Sequence, residues 1–309
     1  MSTGKGSHVV AQSINKSRDI TDFFPEAKGN LTKITWAHAV NSQELLNDAL
    51  NGTVMMLEAD IVLGRLNGSS HDSDIPIMAH PPQNISDLSL KDFLQKVQDF
   101  NMDNNNTAKK GVKLDFKSIE VFEVSVDFIL DLYPKMNYPV WLNADILPGP
   151  FNSTDLPVNA TRFISAAKPF VNSTLSLGWK TVYGNDTKGA TYTENHIDEM
   201  LDVIKENNVT QLITFPVRAA IAAESSTQLK KLVSKVEKST LTLWNGADDD
   251  VSIENLRKLI ANIGIDKVFI DLPDEIKDKL RLDKLSGNVG TIKPLTIVTL
   301  ACVMLLTLL

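Results

Sequence analysis

The chain has 309 residues, 43% of them hydrophobic and 22% charged, with a net charge of −7 and a pI of about 5.3. That length suits one substantial domain, and an acidic chain with no Lys/Arg block excludes a nucleic-acid partner. Its one cysteine, Cys302, excludes disulfides and a thiolate metal site.

After a polar start the pattern alternates between strand-like and helix-like segments. Leu31–Val40 is the first expected strand, followed by an amphipathic segment over Ser42–Leu50. Val54–Leu63 reads as a buried strand, and after a Gly/Ser/Asp-rich loop comes the short apolar run Ile75–His80. Leu88–Phe100 carries Leu90, Phe93, Leu94 and Val97 on one helical face. Strands are expected at Gly111–Lys117, Tyr138–Ile146, Thr174–Thr181, Thr210–Arg218, Thr240–Asn245 and Lys267–Leu272. Helices are expected between them at Val121–Leu132, Ala160–Phe170, Thr193–Glu206 (capped by Thr193), Ser226–Val236 and Ser252–Ile263. Eight strands, each followed by a helix, point to an α/β fold: a single (β/α)8 TIM-type barrel over residues 29–285. Residues 1–28 then form a polar N-terminal segment and 286–309 a C-terminal tail. An open doubly wound sheet is the alternative, but it normally opens on a glycine-rich phosphate turn, and the chain has neither GxGxxG nor a Walker pattern.

In such barrels the reactive groups sit at the C-terminal strand ends. Those ends carry His38, Glu58 with Asp60, His80, Asp115 with Lys117, Asn143 with Asp145, Trp179 with Lys180, Arg218, Trp244 and Asp271. Residues two apart on a strand share a face, so Glu58 and Asp60 both reach the barrel mouth, and Asp115 and Lys117 repeat the spacing. Uncompensated burial of each charge would cost several kcal/mol, roughly. Glu58, Asp60 and Asp115 therefore either ligate a hard cation, Mg²⁺ or Ca²⁺, or form an internal ion network with Lys117. His38 and His80 are candidates to share general acid and general base roles, with Lys117 holding phosphoryl oxygens. Asn143 is a candidate for a neutral contact and Arg218 for an anionic head group. Lys180 and Trp244 join them as substrate-binding candidates, while Trp141 suits core packing and Trp179 and Trp244 suit a pocket floor. His8, His71 and His196 receive no role.

The stretches TWAHAVNS, MMLEADIVL, PIMAHPP, GVKLDFK and YPVWLNADILPGP resemble the menorin family of extracellular proteins, from about Leu31 to Asp271. At longer range the arrangement is similar to glycerophosphodiester phosphodiesterases and spider-venom phospholipases D. That resemblance implies His38 and His80 as the acid–base pair, and Glu58, Asp60 and Asp115 as ligands of Mg²⁺. It implies Lys117 as the phosphate contact, and attack by a neighbouring substrate hydroxyl to give a cyclic phosphate. The pattern departs from those enzymes: Ala39-Val40-Asn41 follows His38 where they have Arg, and P-E-N-T is absent. The chain also cannot form the disulfides of the venom enzymes. The expected substrate is thus a phosphodiester small molecule or lipid head group, its identity open. The menorin resemblance also implies the alternative, a non-catalytic cell-surface recognition protein in signalling or neuronal patterning, with cell-surface protein partners.

Sequons at Asn15, Asn30, Asn51, Asn67, Asn84, Asn105, Asn152, Asn159, Asn172, Asn185 and Asn208 point to a glycosylated, extracellular or cell-surface protein. Leu295–Leu309 is uninterruptedly apolar, short for a spanning helix, and follows small residues at Ser286, Gly287 and Asn288. It reads as a GPI-attachment signal, with a tail-anchored helix as the alternative, so membrane attachment is expected through the C-terminus. The start, MSTGKGSHVVAQS, has no apolar core, and GPI attachment would require a signal segment absent from this sequence.

Overall fold

The computed structural model describes residues 18–69, 73–150, 156–181, 189–247 and 249–285. The tail at 286–309, residues 1–17 and sequons Asn15, Asn152 and Asn185 lie outside these. The described residues form ten strands: β1 (Trp36–Ala37), β2 (Met56–Leu66), β3 (Ile75–Met78), β4 (Ile85–Ser86), β5 (Gly111–Phe116), β6 (Val140–Pro148), β7 (Thr174–Lys180), β8 (Leu212–Arg218), β9 (Thr240–Trp244) and β10 (Val268–Asp271). Eight of them form a nearly closed parallel barrel in the order β1-β2-β5-β6-β7-β8-β9-β10, with helices in between. The seam between β10 and β1 has no ladder of its own. It is spanned by the Leu31 N–H donating to Ile265 O at 2.8 Å, and by His38 bonding to Asp271.

Polar N-caps start most of the helices. Ser42, Ser89, Ser118, Asn159, Thr193 and Ser252 each accept a backbone N–H with their side chains, satisfying a donor that the first turn leaves unpaired. Ser118 directly follows Lys117, so the chain turns into Ile119–Leu132 immediately beyond the barrel rim.

Strand alternation divides the core in two. Leu57, Ala59 and Ile61 on β2, Val112, Leu114 and Phe116 on β5, and Leu142, Ala144 and Ile146 on β6 face outward. They pack against helix residues such as Phe93, Phe122, Phe163 and Leu229. The inward positions begin with a separate apolar floor of Trp36, Met56, Trp141 and Phe269, closed from below by Ile20, Phe24, Leu31 and Ile34. Trp141 stands edge-on to Trp36 and Phe269, with ring centroids 5.3 and 4.9 Å apart. Above that floor the inward positions turn polar, and the site begins there.

Two expectations are corrected, and the run at Ile75 gains a place. Leu31–Val40 is not one strand: Leu31–Lys33 is a 3₁₀ turn capped by Asn30, and only Trp36 and Ala37 pair with β2. The turn lets Leu31 and Ile34 plug the floor instead of joining the sheet. Trp179 does not floor a pocket; an outward position packs it against Tyr192 and Phe215 in the helix-facing core. Ile75–Met78 pairs antiparallel with the outer half of β2, which extends to Leu66, so this hairpin stands beside the barrel mouth.

Candidate functional site

Inward-facing residues at the C-terminal strand ends surround a cleft of about 510 Å³. Its walls include His38, Glu58, Asp60, His80, Lys113, Asp115, Lys117, Asn143, Asp145 and Trp244. Parallel register builds it: Glu58 stands beside Lys113, Asp60 beside Asp115, Asp115 beside Asn143, and Asn143 beside Ser176. In-register neighbours share a face, so a ladder in which E-x-D meets K-x-D makes a ring of charges.

Glu58, Asp60 and Asp115 are buried, and one oxygen from each lies within 4.8 Å of the others. Opposed oxygens around Mg²⁺ or Ca²⁺ stand about 4–5 Å apart, so the donor set fits a hard divalent ion. The carboxylates are also well supported. The Ala39 N–H donates to Glu58 Oε2 at 2.8 Å, a direction made available by the left-handed φ of +55° at Ala39. Asn41 Nδ2 donates to Asp60 Oδ2 at 2.8 Å, and Asn143 Nδ2 to Asp115 Oδ1 at 2.6 Å. Ser176 in turn donates to Asn143 Oδ1 and fixes the amide. Lys117 Nζ sits 2.6 Å from both Asp60 Oδ1 and Asp115 Oδ2. Both of the sequence's alternatives thus find geometry here: the carboxylates converge as ligands do, and a lysine bridges two of them.

The electrostatics follow from burial and neighbours. Burial raises the Glu58 carboxyl above its usual range, against the opposing pull of His38. Burial acts the same way on Asp115, but the ammonium groups of Lys117 and Lys113, with hydrogen bonds from Lys117 and Asn143, hold it below the usual range. Asp145 is pushed up to about 6, by burial first and by the Asp115 charge second. His38 rises to about 9, chiefly through Glu58, with burial opposing and Asp271 assisting. Its Nδ1 lies 2.9 Å from Asp271 Oδ2 and 3.7 Å from Glu58 Oε2, and the half-exposed ring is cationic at neutral pH. His80 Nδ1 lies 2.7 Å from the Pro81 carbonyl, which can only accept, so Nδ1 carries a proton.

The remaining candidates separate. Trp244 lines the cleft. Lys180 lies in a smaller recess with Asp115, Lys117 and Asp145. Arg218 is buried with its guanidinium on Asp249 (Nε to Oδ2 2.8 Å), and its backbone N–H meets Tyr192 Oη. Lys113 and Asn41 also serve the site, though neither stood among the sequence candidates, while Asp145 and Asp271 were named at the strand ends without a role. Period-two spacing alone would have found Lys113, which shares a face with Asp115.

The menorin N-terminal domain model matches residues 30–277 of the chain. This chain belongs to the menorin family. The human protein FAM151B is 38% identical over 241 residues, covering 78% of this chain and 82% of its own length. Similarity to solved structures is low. The IOLI protein with a bound zinc atom is 9% identical with a TM-score of 0.41, covering 82% of this chain and 96% of its own. A fungal β-1,4-galactanase is 10% identical with a TM-score of 0.38, covering 78% and 83%. Family membership and the barrel agree with the reading of the sequence, and the acidic triad sits in the half of the matched region that carries EAD and KLDFK.

Proposed function

We propose that this menorin is a cation-dependent phosphodiesterase acting on a lipid-like or glycerol-type phosphodiester. One observation carries the reading: three buried carboxylates with oxygens within 4.8 Å of one another share a cleft with His38 and His80. Glu58, Asp60 and Asp115 would hold one Mg²⁺ or Ca²⁺, which supplies Lewis acidity toward a phosphoryl oxygen. In its neutral form His80 has Nε2 as its basic nitrogen, suited to take the proton from an attacking substrate hydroxyl. His38, cationic through Glu58 and Asp271, is suited to give a proton to the leaving oxygen. A new P–O bond forms as the old one breaks, yielding a cyclic phosphate and an alcohol.

The test is turnover of glycerophosphocholine and lysophosphatidylcholine with Mg²⁺ or Ca²⁺ present, beside His38→Ala and His80→Ala. Cleavage that needs the cation and is lost in both variants supports the reading. Unchanged cleavage in His38→Ala would sink it.

A second reading is favoured by Lys117. Its pairs with Asp60 and Asp115 satisfy both carboxylates without any ion, as a cell-surface recognition scaffold would need. A calorimetric Mg²⁺ and Ca²⁺ titration of the protein beside Asp60→Asn separates the two. Saturable binding lost in the variant supports the enzyme, and no binding in either supports the scaffold.

We further propose a glycosylated protein at the cell surface, attached through the C-terminal tail. Among the described sequons, Asn51, Asn67, Asn84, Asn105, Asn159 and Asn172 are exposed, as glycan attachment requires. No helix among the described residues is long and apolar enough to cross a membrane, and the tail lies beyond them.

A further inference from the structure

Four cationic side chains are buried in the described fold: Arg18, Lys110, Lys113 and Arg218. Three have acceptors. Arg18 donates to Met136 O and Tyr133 O at 2.7 Å each, Lys110 to Gly52 O and Val54 O at 2.7 and 2.8 Å, and Arg218 to Asp249. Lys113 is 3% exposed, lines the cleft, and its ammonium makes no hydrogen bond or ion pair among the described residues. An ammonium carries three donors, and burying them unmade is costly. Its neighbour four residues on, Lys117, is already gripped on both sides by Asp60 and Asp115. Of the two lysines, Lys113 is therefore the one with donors to offer a ligand.

Across the cleft a complementary group is also unmatched. Asn245, just past β9, uses Nδ2 on Gly246 O at 2.6 Å, which leaves its buried Oδ1 without a donor. The cleft thus has donors without a hydrogen-bond acceptor on one wall and an acceptor without a donor on the other.

We propose that Lys113 and Asn245 are a recognition pair for a hydroxyl-bearing phosphate ester, Lys113 contacting an anionic phosphoryl oxygen and Asn245 Oδ1 accepting from a ligand hydroxyl. The proposal rests on the phosphodiester reading for its ligand class and replaces Lys117 by Lys113 as the anion contact. Lys117 is left as the bridge between Asp60 and Asp115.

The test is calorimetric titration of the full chain, with and without Mg²⁺, using glycerol 3-phosphate and methyl phosphate as probes. Lys113→Met is expected to weaken both probes by at least about ten-fold, the scale of one charge-assisted hydrogen bond. Asn245→Ala is expected to erase the preference for glycerol 3-phosphate while leaving methyl phosphate unchanged. Thermal unfolding of Lys113→Met is the control that separates lost affinity from lost fold, because Lys113 also offsets the charge of Glu58 and Asp115. Lower stability with unchanged affinity would overturn the proposal, making Lys113 a structural counter-charge. Loss of binding in Lys117→Met alone would also overturn it. If Lys113→Met does not fold, Lys113→Gln, which keeps the stem, is expected to show the same loss of affinity.

Glycerophosphoglycerol and dihexanoyl phosphatidylglycerol, titrated alongside, tell a soluble ester from a lipid; preference for either supports the proposal and identifies the source. Binding is read without turnover, so the two ideas fail separately. Lys113-dependent affinity with no phosphodiester cleaved sinks the catalytic reading, and intact turnover with Lys113-independent affinity sinks this one.

Discussion

Lys117 Nζ lies 2.6 Å from Asp60 Oδ1, across from an identical contact with Asp115 Oδ2. An ammonium thus stands between two of the three carboxylates that would ligate a cation. Lys117→Met should lower stability in chelator by about 3–5 kcal/mol, because it leaves two buried carboxylates unmatched. Added Mg²⁺ or Ca²⁺ should then raise the unfolding temperature of the variant more than that of the parent, since the ion replaces the missing charge. Melting curves in EDTA and in each cation check this. Equal shifts in both proteins would mean that Lys117 and the ion do not share a site.

Gly178 on β7 stands beside Asp145 with no room for a side chain. A Cβ there would stand 2.5 Å from Asp145 Oδ1 and 3.0 Å from Pro216 Cγ. Gly178→Ala should cost about 1–3 kcal/mol through this overpacking. A double-mutant cycle with Asp145→Ala should recover part of the loss, because the nearest clash is with the carboxylate itself. Additive effects would place the strain elsewhere.

The apolar floor should be as sensitive as any core. Trp141 is buried between Trp36 and Phe269, and Trp141→Ala should cost about 3–5 kcal/mol. Denaturant unfolding measures it. A cost under 1 kcal/mol, roughly the size of a surface change, would mean that the floor does not carry the barrel.

His196 provides a pH dependence away from the cleft. It closes a capping box with Thr193, whose backbone N–H donates to His196 Nδ1 at 2.9 Å. Only the unprotonated nitrogen accepts, and burial holds the ring below the usual 6.5. The unfolded chain therefore binds this proton first as pH falls. The cap's stabilisation is present above 6.5 and is lost as pH drops through and below it. His196→Gln, which keeps an acceptor at the same position, should show no such loss, the difference being about 1 kcal/mol. Parallel melting curves that stay parallel from neutral to acid pH would refute it.

The order of strands and helices from Val54 to Asp271 was legible because period-two and helical patterns alternate cleanly there. So was the triad, since E-x-D and D-x-K can only share faces. Pairing across sequence distance was not. His38 and Asp271 stand 233 residues apart, and nothing local couples them. The bidentate grip of Asp249 on Arg218 is equally non-local, so an arginine at a strand end read as exposed. The Ile75–Met78 run was visible as apolar, but apolarity carries no strand direction, and its antiparallel pairing with β2 was not legible from it. Lys113 escaped because a lysine between two valine- and leucine-type residues reads as an interruption until its register partner Glu58 is known.

The open seam gives the chain an order of completion. A growing polypeptide that has emerged as far as β9 already holds all three carboxylates and both histidines. It lacks Asp271, the group that fixes the His38 ring, until the last strand is made. Ring closure and orientation of the first histidine are then a single event at the far end of synthesis. A ribosome-bound chain stopped before residue 271 would carry the three carboxylates and still lack the oxygen that His38 Nδ1 meets.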